Sequence, residues 1–297
     1  MKLLLASTAL LSLTSGLAMA EVTLSGSARM GIIDDFGPDN TGFTSRARVV
    51  FTMSGETDSG ISFGATFRAD NAVGANTGDA GEVYVSGAFG KLAMGDLDGA
   101  AEQAVGNVDG VGLTGLGDLN EGFYLHDFTD TAGTDPTAAY SYSAGGFTGI
   151  LSVQNPDNLV GPDVDPTYAI GLKYAAGDYT FALGYETNSD LDADNVVLGV
   201  TATMGAVALK ADYGRLSGGG TDYDSYHVSA TYTADALALT AFYSNEDDIF
   251  DDGGPGATAY GIGASYDLGG GASVVGGYAK NDSLDTSAFD LGLSFSF

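Results

Sequence analysis

The sequence predicts an all-β fold, a 16-stranded antiparallel transmembrane β-barrel. Three observations carry this. Apolar and polar residues alternate with a period of two along the chain. The connectors between the alternating runs are short and long by turns. The chain opens with an export leader.

The leader is MKLLLASTALLSLTSGLAMA: Lys2 is its charged start, Leu3 to Leu17 its apolar stretch, and Ala18-Met19-Ala20 its small-residue cleavage site. Residues 1–20 are therefore expected to be a secretory signal peptide, and residues 21–297 the mature barrel domain, beginning at Glu21. The first strand follows at once, with Val22, Leu24, Ala28, Met30 and Ile32 on one phase. In the second, Phe43, Ala47, Val49, Phe51 and Met53 alternate with Thr44, Arg46, Arg48 and Thr52. The third carries Ile61, Phe63, Ala65 and Phe67. The pattern returns in Tyr179, Phe181, Leu183 and Tyr185, in Val207, Leu209, Ala211 and Tyr213, and in the terminal Phe289, Leu291, Leu293, Phe295 and Phe297. The full set is 22–33, 43–54, 61–70, 82–87, 91–95, 138–144, 148–154, 168–175, 179–186, 196–204, 206–215, 226–233, 237–244, 258–266, 273–280 and 288–297.

Between these strands lie seven short and eight long connectors, with both termini on the short side. Outer-membrane barrels have this layout, and closure leaves no unpaired backbone in lipid. A soluble sandwich also alternates, but rarely with such loop asymmetry. Tyr140, Tyr142, Tyr168, Tyr174, Tyr185, Tyr213, Tyr226, Tyr232, Tyr243, Tyr260, Tyr266 and Tyr278 mostly fall on the apolar phase near strand ends, where an aromatic girdle belongs. With no cysteine, the exported chain must be held by packing and backbone closure. A formal charge of −29 argues against nucleic acid as a partner, and 44% hydrophobic content against disorder.

Several segments carry a more specific likeness: EVTLSGSARMGI, SRARVVFTMSGETDSGISFGATFRA, GEVYVSGAFGKLAMGD, AYSYSAGGF, GIGASYDLGGGASVVGGYAKND and LGLSFSF. They resemble the general diffusion porins of alphaproteobacteria, the Rhodobacter-type porins. The resemblance implies a homotrimer in the bacterial outer membrane, surrounded by its lipid. Each barrel would have its third long loop folded inward, and small hydrophilic solutes and ions would pass by passive diffusion. It also implies that Phe297 serves as an assembly signal, that no cofactor is required, and that calcium is plausible on acidic loops.

The charges suggest where such a passage narrows. Arg29, Arg46, Arg48 and Arg68 share the polar phase of three consecutive strands, in a chain with only ten basic residues against 39 acidic ones. They form the expected basic wall of the constriction. A lipid-facing Arg at the bilayer midplane would cost about 2–4 kcal/mol. A connector of about 42 residues between Gly95 and Ala138 contains Asp96, Asp98, Glu102, Asp109, Asp118, Glu121, Asp127, Asp130 and Asp135 and no Lys or Arg. The first seven of these are the expected acidic side. Opposed charges across a narrow aqueous gap focus the field there, and the excess of carboxylates predicts a weak cation preference. Asp98 to Val105 is expected to form a short helix.

Catalytic motifs do not survive placement. Ser62 in GISFG starts a strand and lacks the strand-to-helix elbow, and GVGLTG at 110–115 has no βαβ unit around it. No enzyme is expected. The acidic clusters Asp247, Asp248, Asp251 and Asp252; Asp163 and Asp165; and Asp190, Asp192 and Asp194 offer oxygen ligands without an EF-hand spacing. Alternative readings are a substrate-specific porin, which would need a lengthwise aromatic track in the lumen where inward-phase aromatics are few and Tyr84 and Phe242 are the main candidates, an outer-membrane barrel enzyme, and an exported soluble β adhesin.

Overall fold

A computed structural model describes residues 21–36, 41–70, 81–129, 137–154, 165–247 and 256–297. The expected leader lies outside the described residues, as do Asp130, Asp135, Asp163, Asp248, Asp251 and Asp252.

The strands are β1 (Glu21–Asp34), β2 (Thr41–Glu56), β3 (Ser62–Asp70), β4 (Gly81–Gly87), β5 (Gly90–Gly95), β6 (Thr137–Ala144), β7 (Phe147–Gln154) and β8 (Thr167–Ala176). They continue as β9 (Tyr179–Asn188), β10 (Ala193–Met204), β11 (Val207–Gly218), β12 (Thr221–Ala234), β13 (Leu237–Glu246), β14 (Ala257–Gly269), β15 (Ala272–Asn281) and β16 (Thr286–Ser296). Each pairs antiparallel with its sequence neighbours, and β1 pairs with β16 to close the barrel. Beyond that ladder, Phe297 N donates to Gly26 O at 2.9 Å, so the last residue completes the seam. Closure satisfies the strand backbones without water, the condition for crossing lipid with strands. No helix among the described residues is long and apolar enough to cross a membrane.

The period of two sorts side chains between lipid and lumen. In β8, Tyr168, Ile170, Leu172 and Tyr174 are exposed while Thr167 and Ala169 are buried. All twelve girdle tyrosines lie on the outside. Their register sets two belts: Tyr213 is opposite Tyr226 and Tyr243 opposite Tyr260 toward the long-connector end, and Phe147 is opposite Tyr174 toward the short turns. Phe147 and Tyr174 stack with centroids 4.3 Å apart.

The connectors correct the expected boundaries. Residues 216–225 read as a long loop, but β11 and β12 continue to a two-residue turn at Gly219-Gly220, both with positive φ (58° and 86°). Residues 187–195 likewise shrink to the four-residue link between β9 and β10. Polar side chains hold the extended hairpin: Arg215 donates to both Asp224 oxygens at 2.7 and 2.8 Å, Tyr213 Oη to Asp224 Oδ1 at 2.8 Å, and Ser217 Oγ to Asp222 Oδ1 at 2.7 Å. Above the lipid both faces of a strand meet water, so hydrophobic alternation stops where pairing does not.

Candidate functional site

The long loop after β5 lies against the inner face of the wall. It contains α1 (Ala100–Val105), within the Asp98 to Val105 stretch expected to be helical, and α2 (Leu125–Thr129), which was not expected. Ala100, Ala101 and Ala104 are at most 1% exposed, because three wall glycines leave room for α1 beside Ile150 and Ala169. A Cβ on Gly171 would sit 2.0 Å from Ala100 O, one on Gly184 2.6 Å from Ala101 Cβ, and one on Gly199 2.7 Å from Val105 Cγ1. A second footprint lies across β14, β15, β16 and β1. There a Cβ on Gly277 would approach Gly112 N at 2.6 Å, and ones on Gly31 and Gly292 would approach Leu113 Cδ2 at 2.8 and 2.6 Å. The main apolar cluster of the molecule is therefore between loop and wall: Val108, Val111 and Leu116 against Phe242, Ala259, Ala279 and Ala288. Burying one such Leu contributes about 1.5–3 kcal/mol. Phe242, which read as a lumen aromatic, is covered by the loop.

Wall side chains also take up the loop's backbone polar groups. Ser152 Oγ accepts from Ala100 N at 2.7 Å, and Ser229 Oγ from Asp109 N at 2.9 Å. Asp290 accepts from Leu113 N and Thr114 N at 2.9 and 2.7 Å, and Glu186 Oε2 from Leu125 N at 2.8 Å. In the other direction Ser244 Oγ donates to Leu119 O, Asn195 Nδ2 to Phe123 O and Lys173 Nζ to Gln103 O, at 2.6, 2.9 and 3.2 Å. Buried backbone groups without partners would cost about 1–3 kcal/mol each. These partners are what allow an irregular segment to lie inside a barrel.

The structure brings the four arginines together. Arg29 is directly opposite Arg46 across β1 and β2, and Arg46 lies within electrostatic reach of Arg48 and Arg68 as well. Their environments differ. Arg48 makes a two-pronged ion pair with Asp70, Nε to Oδ1 at 2.8 Å and Nη2 to Oδ2 at 2.8 Å. Arg29 Nη1 donates to Leu113 O at 3.2 Å, so it is also a loop anchor. Arg46 and Arg68 have no carboxylate within ion-pair distance among the described residues.

The seven loop carboxylates divide. Asp98, Glu102, Asp118, Glu121 and Asp127 form one mutually repelling group. Burial, reinforced by the charges of Asp98, Asp127, Glu121 and Glu186, pushes the Glu102 carboxyl up to about 8. Glu121 is raised too, by burial first and then by Asp118, Asp127 and Asp98. Burial also raises the Tyr124 phenol, with the negative charge of Asp212 adding to it. Asp109 stands apart, paired with Lys210 Nζ at 2.6 Å and accepting from Thr231 Oγ1 at 3.0 Å. Asp96 stays at the end of β5, its N–H donated to Gly81 O.

Glu102, His126 and Asp127 are the one group among the described residues whose potential metal-ligand atoms lie within 4.8 Å of one another. Two carboxylates suit a hard cation, but calcium takes six to eight oxygens and the imidazole is not one of them. The strand-end acids are otherwise occupied: Asp190 Oδ2 accepts from Asp165 N at 2.6 Å and Asp194 Oδ1 from Tyr185 Oη at 2.6 Å. Ser62 begins β3, and GVGLTG lies in the wall-hugging loop with Gly112 and Gly115 at φ of 86° and 91°.

The sequence reading missed the wall acids under the loop. Asp212, Glu186, Glu246 and Asp290 all lie on the lumen phase of their strands, and His227 sits between Asp212 and Glu246 at 2.5 and 3.1 Å. A carboxylate on the polar phase of a strand was the available signal.

The comparisons with known proteins agree with this architecture. The profile of the family described as Gram-negative porin matches residues 6–286. The chain is 41% identical to a porin of Rhodobacter capsulatus and 27% identical to one of Fuscovulum blasticum, in each case over 93% of this chain and 100% of the relative. A refined porin structure superposes with a TM-score of 0.80 at 36% identity, covering 93% of this chain and 100% of that one. A closed barrel with lipid-facing tyrosine belts and a polar, loop-lined interior is what such a channel requires, and the chain belongs to the Gram-negative porin family, non-enzymatic general diffusion channels of the outer membrane.

Proposed function

We propose that the passage narrows between the arginines of β1 to β3 and the acidic face of the long loop, and that ions and small hydrophilic solutes cross there with a weak preference for cations. The observation that carries this reading is the segregation of charge. Arg46 and Arg68 make no ion pair among the described residues, while the loop acids from Asp98 to Asp127 gather beside one another and raise the carboxyls of Glu102 and Glu121. Fixed charges of both signs around a water-filled gap focus a field across it, and the carboxylate excess attracts cations until salt screens it over about 8 Å. Reversal potentials in a KCl gradient across a planar bilayer test this. Modest cation selectivity that fades as salt rises is the expected result, and anion selectivity overturns it.

Three further properties belong to the same reading. The leader is cut before Glu21, which N-terminal sequencing of the exported protein tests. The channel is a homotrimer in the membrane, which a stable monomer in analytical ultracentrifugation in detergent would contradict. Divalent cations such as calcium gather at the loop carboxylates, with Asp127 supplying oxygens, Glu102 joining it when ionised, and water the rest. Added calcium should then lower cation selectivity and a chelator restore it.

A further inference from the structure

We infer that Asp290, on β16, is a positioning residue that sets the width of the passage by fixing the middle of the long loop. The inference rests on the narrowing proposed above. Asp290 is 3% exposed and takes part in no ion pair among the described residues. Its two oxygens instead accept three donors from consecutive loop residues: Leu113 N at 2.9 Å, Thr114 N at 2.7 Å and Thr114 Oγ1 at 2.8 Å. On the adjacent strand, Arg29 Nη1 donates to Leu113 O at 3.2 Å. The N–H and the C=O of Leu113 are thus held by side chains from the two strands that close the barrel.

The fit is steric as well as polar. Gly31 and Gly292 are cross-strand partners, and a Cβ on either would strike the Leu113 side chain. Gly277, the partner of Asp290 on β15, leaves room for Gly112 N, where a Cβ would come within 2.6 Å. Gly112 itself has φ of 86°, a left-handed turn that presents the next two N–H groups to one carboxylate. A buried carboxylate with only loop donors for partners has no use unless the loop is seated on it. Through the same seat Arg29 is held toward the loop, so the clamp governs one of the four wall charges along with the loop's stand-off from the wall.

Losing the carboxylate should increase the population of unseated loops by roughly tenfold or more, since charge-assisted hydrogen bonds are each worth more than a tenfold change in equilibrium. Single-channel recording of Asp290→Ala reads this directly. The expected result is a second current level, rare in the parent channel and about tenfold or more longer occupied in the variant. Discrimination between a monosaccharide and a disaccharide should also fall in liposome swelling. Asp290→Asn, which keeps one acceptor oxygen but turns an amide toward a donor, should lie between. Leu113→Ala empties the notch without altering charge or any strand, so it should show the same second level even if Asp290→Ala does not assemble. A single current level with unchanged sugar discrimination in Leu113→Ala and Asp290→Asn overturns the proposal. So does a shift of reversal potential without a second level, which would make Asp290 a pore charge only. Failure of the narrowing itself would appear separately, as unchanged conductance when Arg46 and Arg48 are removed.

Discussion

Lys210 and Asp109 form a 2.6 Å ion pair that joins β11 to the long loop. One loop carboxylate is thereby neutralised by the wall and contributes little to the field in the passage. Lys210→Met should release that charge and shift the reversal potential further toward cations. Both partners are partly exposed, so thermal stability should change by under about 1 kcal/mol. An unchanged reversal potential would place Asp109 away from the ion path.

Replacing Arg46 and Arg48 together by alanine should raise single-channel conductance and cation preference. Two effects act in the same direction: positive charge and bulk leave the wall, and Asp70 loses the guanidinium that neutralises it. Arg48→Ala alone should therefore shift selectivity more than Arg68→Ala, which leaves no ion pair broken among the described residues. Equal shifts would show that the Arg48–Asp70 pair does not neutralise Asp70 in the open channel.

Selectivity should depend on pH through Glu102. With its carboxyl raised to about 8, Glu102 is neutral at pH 7 and ionised at pH 9, so cation preference should rise across that interval. The sign for stability is the opposite. A carboxyl raised above its ordinary 4.5 contributes fully below that pH, and the contribution is lost as the pH climbs to about 8. Bilayer measurements in chelator-containing buffer, comparing the parent with Glu102→Gln, check this. The variant should show a flatter profile.

His227 has no exposed side-chain surface and both ring nitrogens face carboxylates, Asp212 and Glu246. A protonated ring donates to both and compensates the two half-buried acids. His227→Phe should destabilise the barrel by about 3–5 kcal/mol, the cost of leaving buried charge unpaired. Adding Asp212→Asn and Glu246→Gln to that variant should recover much of the loss. Thermal unfolding in detergent, followed by circular dichroism, measures both.

The sequence by itself determined the barrel. Lipid on one side and water on the other impose a period of two on every strand, and that period, the connector asymmetry and the tyrosine belts can be counted without coordinates. It also placed Arg29, Arg46, Arg48 and Arg68 on one polar phase, because phase is a local property of a strand. The true ends of β11 and β12 were hidden, since above the lipid both strand faces are wet and alternation ceases to report pairing. Only the tertiary structure decided which wall residues carry the loop. The glycines of its two footprints look like any others in a chain with 46. Asp290 and Leu113 lie 177 residues apart in sequence and meet only because closure brings β16 beside β1 and the loop crosses to that seam. Contacts between a loop and a distant wall depend on how the chain fills the interior, and no local periodicity encodes that.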